Sequence, residues 1–95
     1  MIKYETMIIL DSKLNADKIS GFIDKVTKII TKDKGVVDYV DNWGKRTLAY
    51  EIKKQVDGNY IVINYTAPTD TSKELDRQLH LDDSVIRFKI FNIEE

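Results

Sequence analysis

The strongest constraint in this chain is a change of apolar period. Ile19, Phe22, Ile23, Val26, Ile29 and Ile30 recur at helical spacing and form one stripe. Both flanks of that stripe repeat at two residues instead. In Lys3 to Leu10, Tyr4, Thr6, Ile8 and Leu10 share one face, and Lys3, Glu5, Met7 and Ile9 share the other. Both faces become apolar toward the end, as a central strand requires. A one-sided helix beside such a strand needs a sheet to cover its stripe.

The rest of the chain supplies that sheet. Asp11-Ser12-Lys13 breaks the first strand, Asn15 fits a helix N-cap, and Asp17 opposes the helix dipole. Gly35 is the expected C-terminal cap. Val36 to Trp43 and Thr47 to Ile52 read as one bent strand, with a bulge or kink at Gly44. Lys53 to Asn59 is a polar turn containing Asp57-Gly58, which predicts a hairpin. Asn59 to Ala67 is the third strand, with Tyr60, Val62 and Asn64 on one face and Ile61, Ile63 and Tyr65 on the other. Pro68 ends it. Thr69-Asp70-Thr71 offers N-caps, and Thr71 with Glu74 fits a capping box for a short helix carrying Leu75 and Leu79 inward. Asp82-Asp83-Ser84 turns the chain into a last strand, Val85 to Phe91. There Ile86, Phe88 and Ile90 are expected to face the core, and Arg87, Lys89 and Phe91 to face away.

The order β-α-β-β-α-β predicts an α+β fold: a ferredoxin-like split βαβ with a four-stranded antiparallel sheet and two helices on one face. Ninety-five residues are expected to make a single domain, residues 1–95.

Several function classes lack their residues. The chain has no cysteine, which rules out a disulfide scaffold, a Cys-based zinc site and a thiol nucleophile, and fits a reducing cytosol. No Gly-rich phosphate loop, His-x-x-x-His pair or Gly-x-Ser-x-Gly occurs. His80 stands alone at a helix exit, and Asp82-Asp83 reads as a turn former. We therefore expect no catalysis, no metal, no cofactor and no small-molecule substrate. The longest apolar runs, Met7–Leu10 and Tyr60–Ile63, are too short to span a membrane. Fifteen basic residues against sixteen acidic ones give a net charge of -1. Such a balance does not coat nucleic acid by bulk charge; RNA binding would need clustered basic residues or a basic partner.

The informative stretch is Asn42-Trp43-Gly44-Lys45-Arg46-Thr47-Leu48-Ala49-Tyr50. Lys45 and Arg46 sit at the bend, where both can reach solvent. A cationic pair on a rigid sheet edge suits phosphate contact; taken alone, the stretch favours a solvated basic bend that binds nothing, because charged surface is usually only surface. The Lys25, Lys28 and Lys32 row is read as a solvated helix back. The third strand lacks the aromatic spacing with which some ferredoxin-like RNA binders stack bases. The open side, with Met7, Ile9, Val62 and Phe91, suits a protein partner better.

Trp43 to Ile52 resembles the signature of the bacterial family of small ribosomal subunit protein number six: Gly, two basic residues, Leu-Ala-Tyr, and Ile two further on. Tyr4-Glu5 is similar to that family's first strand. Leu79 through Asp83 and Val85-Ile86-Arg87 are similar to its second-helix exit and last strand, so the likeness covers roughly residues 3 to 91. The resemblance implies a cytoplasmic, ribosome-associated scaffold. It would bind the central domain of small-subunit rRNA as a pair with small-subunit protein eighteen, a basic partner. It also implies rRNA-binding candidates: Lys45 and Arg46 at the family's basic pair, Arg87 at its last-strand Arg, and Lys3 at its basic N-terminus. Lys89, beside Arg87, joins them. Met7, Ile9, Val62 and Phe91 are the partner-binding candidates. The chain departs from the family at His80, often basic or aromatic there, and at Glu94-Glu95, where many members continue into a longer charged tail. The alternative from the fold alone is a small regulatory or protein-interaction domain acting through its open sheet face.

Overall fold

A computed structural model describes residues 1–93; Glu94 and Glu95, where the tail comparison falls, lie outside the described residues. The element order is β1 (Ile2–Asp11), α1 (Ala16–Thr31), β2 (Val36–Ile52), β3 (Gln55–Ala67), α2 (Thr69–Leu81) and β4 (Val85–Asn92). The sheet order is β2-β3-β1-β4, with every pairing antiparallel. This is the expected β-α-β-β-α-β arrangement, with β1 and β3 in the centre.

The core lies between the helices and one sheet face. Tyr4, Ile8 and Leu10 of β1 and Ile61, Ile63 and Tyr65 of β3 meet Phe22, Val26 and Ile30 of α1 and Leu75 and Leu79 of α2. Alternation puts these strand residues on one side, and the 3.6-residue period lines up the helix residues above them. Tyr4 and Tyr65 stack with centroids 5.2 Å apart. The buried Tyr65 hydroxyl reaches Ser72 Oγ at 3.2 Å. Burial raises the pKa of that phenol, the Ser72 hydrogen bond opposing the shift.

Local details follow the sequence in part. Asn15 caps α1, its Oδ1 accepting from the Lys18 N–H at 2.9 Å. At the other end, Gly35 is not the left-handed cap residue; Lys34 is, at φ 69°. Gly35 is required for closeness instead, since a Cβ there would lie 2.3 Å from the Ile30 carbonyl oxygen. The expected Thr71–Glu74 capping box is also replaced. Pro68 occupies the N-cap position of α2 without a side-chain cap bond. Starting that early puts Thr71 in the first turn, facing the core at 1 % exposure, while Glu74 binds Arg77 and Gln78.

The hairpin turn lies earlier than Asp57-Gly58. Ile52 pairs with Gln55, so the turn is Lys53-Lys54, both with positive φ (48° and 65°). Two left-handed residues are what a tight hairpin needs, because they match the right-handed twist of the strands. Gly58 lies inside β3 and packs against the sheet: an added Cβ would come within 2.5 Å of Ile9 Cγ2.

Ile86 does not face the helix-side core as its spacing predicts. Ile9 pairs with Arg87 but Leu10 with Val85, so a bulge inserts Ile86 as an extra residue. Phe88 and Ile90 keep the helix-side phase, and Ile86 switches to the other face. There it forms a small second core with Ile9 and Leu48.

Candidate functional site

The face of the sheet away from the helices holds most of the predicted site residues, and the chain partly covers it by itself. The distal half of the β2–β3 hairpin curls over this face. Leu48 packs on Ile9 and Ile86, Ile52 and Tyr60 pack against that cluster, and the Arg87 guanidinium donates to the Tyr50 hydroxyl. Gln55 Oε1 accepts the Ser12 N–H at 3.2 Å and ties the hairpin to the end of β1.

Four of the five basic candidates share this side. Lys3 lies in phase with Glu5, Met7 and Ile9 on β1, and Arg87 and Lys89 stand beside Ile9 and Met7 across the β1–β4 ladder. All three cations are exposed, and Lys89 Nζ sits 5.2 Å over the Phe91 ring. Arg46 pairs with Gly58, which belongs to the same face, whereas Lys45 pairs with Asn59 on the helix side. Both adjacent residues therefore reach solvent as expected, but alternation sends them to opposite faces. Arg46 is the member that joins Arg87, Lys89 and Lys3.

The apolar candidates divide by burial. Ile9 and Val62 are 8 % and 6 % exposed, so much of their surface is already covered within the chain. Met7 is half-buried and Phe91 exposed. Met7 and Phe91 line a groove of about 240 Å³ with Leu48, Tyr50, Arg87 and Lys89. This is an apolar trough with cationic walls.

Sequence reasoning missed Trp43 and Tyr60 as a unit. The Asn42–Gly44 register shift marks a bulge, and Gly44 has φ 78°. The Gly44 N–H donates to Asn42 Oδ1 at 3.0 Å, and Trp43 Nε1–H donates to Asp41 Oδ2 at 2.7 Å. So fixed, the indole stacks on Tyr60 of β3, with centroids 6.2 Å apart and planes within 4°. The motif places Trp43 beside Gly44, but the pairing with a residue seventeen positions away depends on register.

Among the described residues, no group of three or more His, Cys, Asp or Glu is placed to hold a metal ion, and no helix is long and apolar enough to cross a membrane. His80, on the helix side, lies 3.1 Å from Asp76 and meets the edge of Phe88.

Comparison with known proteins agrees with this architecture. The family model for ribosomal protein S6 matches residues 3–92. Small ribosomal subunit protein bS6 of Arthrobacter sp. (strain FB24) is 46% identical over 95 residues, spanning 100% of this chain and 94% of the relative. The bS6 protein of Beutenbergia cavernae is 49% identical over 90 residues, covering 95% and 94% of the two chains. The crystal structure of 30S ribosomal protein S6 from Thermotoga maritima superimposes with a TM-score of 0.89 at 32% identity, over 96% of this chain and 86% of that one. The chain belongs to the ribosomal protein S6 family, whose members are proteins of the small ribosomal subunit.

Proposed function

We propose that this protein is a structural, non-catalytic constituent of the cytoplasmic small ribosomal subunit. It binds the central domain of small-subunit rRNA beside small-subunit protein eighteen. The observation that carries this reading is the open sheet face. Lys3, Arg46, Arg87 and Lys89 lie on it, and Arg87 and Lys89 line a trough together with Met7 and Phe91. Cationic side chains on a rigid sheet suit phosphate positioning. The apolar trough supplies a dry centre for a protein contact. Arg87 is held by Tyr50, so its guanidinium is oriented in advance.

The division of labour follows from charge. A net charge of -1 gives little long-range pull on phosphate, so the basic partner supplies most of it. Co-sedimentation tests the reading. Tagged protein should run with small subunits through a sucrose gradient, and Arg46→Ala with Arg87→Ala should shift it toward the free fraction. A protein that stays entirely free of small subunits would overturn the proposal.

A further inference from the structure

We propose that Trp43, backed by Tyr60, is a stacking platform for one unpaired RNA base, with Arg46 reaching that nucleotide's phosphate. This rests on the RNA-binding reading above and adds a site to it. The indole is 42 % exposed although it is the largest side chain on the sheet. It is also not loose. Its N–H is committed to Asp41, the bulge beneath it is closed by the Asn42 side chain, and one of its faces lies on Tyr60. An indole fixed on three sides loses little freedom when its remaining face is covered.

The surroundings favour a base over an apolar side chain. Trp43, Tyr60 and Arg46 line one open recess of about 740 Å³ together with Asp41, Asn42 and Thr47. That rim is polar, unlike the apolar trough beside β4. Asn42 and Thr47 offer hydrogen-bonding groups at the edge of a stacked ring, and Arg46 offers a fork for a phosphate oxygen. Asp41 is the one acid of the recess, and the indole N–H already occupies one of its oxygens. A double-stranded segment presents no free base face, so the platform selects loops, bulges or single strands. The third strand lacks its own aromatic ladder, but the β2 bulge delivers an aromatic from the neighbouring strand onto Tyr60.

The test uses the single tryptophan as a reporter. 5-Fluorotryptophan at Trp43 gives one fluorine resonance, observed with the protein bound to its basic partner. Adding the central-domain rRNA fragment should shift that resonance by the ring current of a stacked base, while a perfectly paired RNA duplex of equal length should not. Trp43→Leu should weaken binding of the fragment roughly 5- to 140-fold, and Trp43→Phe should restore most of it. If the fragment binds as tightly and the resonance does not move, the platform is overturned while the RNA-binding reading stands. A resonance that shifts with the partner protein alone, and no further with RNA, assigns the indole to a protein contact and overturns the platform too. Failure of the assembly to bind RNA at all overturns both.

Discussion

Single residues carry several costs that only the folded geometry reveals. Lys53 and Lys54 both take left-handed φ values, which disfavour any residue with a Cβ. The two-residue turn accepts this because the hairpin must close between Ile52 and Gln55. Replacing them together, Lys53→Asn with Lys54→Gly, should raise the urea midpoint by the equivalent of about 1 kcal/mol, since those residues suit the same turn. Gly58 makes the opposite case. Its Cβ would lie 2.5 Å from Ile9 Cγ2 and 3.2 Å from the Leu10 carbonyl oxygen, so Gly58→Ala should lower stability by about 1–3 kcal/mol in the same titration. The Asp-Gly pair reads as a turn in the sequence because turn chemistry and close packing both select glycine. Only the register, Gly58 opposite Asp11 and Arg46, separates the two uses.

The elements themselves were legible because each has a period. The α1 stripe, the alternating β1 and β3 and the inward Leu75 and Leu79 of α2 all lie as their spacing predicts. Ile30 is fully buried between α1 and the sheet, and Ile30→Ala should cost about 2–5 kcal/mol in denaturant unfolding. What periodicity does not encode is how elements bend and join. The β4 bulge moves Ile86 to the other face, and the hairpin curl covers Ile9, because both depend on contacts between distant segments.

One such junction titrates. Lys25 of α1 lies 3.0 Å from Asp82, in the turn between α2 and β4. Burial pushes the Asp82 carboxyl upward, but the Lys25 ammonium and the Ser84 N–H outweigh it and hold the pKa below its ordinary value of 3.8. A carboxyl depressed in the folded state stabilises above its unfolded pKa, and that contribution is lost as pH falls through the folded value. Lys25→Met should therefore cost under about 1 kcal/mol at pH 7, since the lysine is about half exposed. The gap between the two proteins should close as the pH drops below the carboxylate range. A gap that persists at pH 2 would assign the loss to packing of the lysine stem instead.

At the scale of the whole molecule, alternation across the sheet separates residues that are neighbours along the chain. Lys45-Arg46 is one motif along the chain but two sites in space. Arg46 belongs with Trp43 and the other open-face cations; Lys45 projects toward the helix side. Acids share the open face as well. Glu5 stands opposite Phe91, Asp38 accepts from the Thr66 hydroxyl at 2.7 Å, and Asp41 holds the indole. Mixed signs of this kind steer a cationic protein better than a polyanion. RNA affinity should therefore belong to the pair of proteins, and within this chain to one face of the sheet. The measurement is a titration of central-domain rRNA at moderate salt, with this protein alone, with small-subunit protein eighteen alone, and with both. The isolated chain should bind weakly, and the two together should exceed the partner by itself. Arg46→Ala should weaken the joint complex more than Lys45→Ala, with both variants keeping the wild-type denaturation midpoint. Equal losses from the two substitutions would mean that the RNA wraps the β2 edge and reads both faces. Tight binding by the isolated chain would mean that the acids on the open face do not oppose RNA, and the partner would then have no electrostatic part to play.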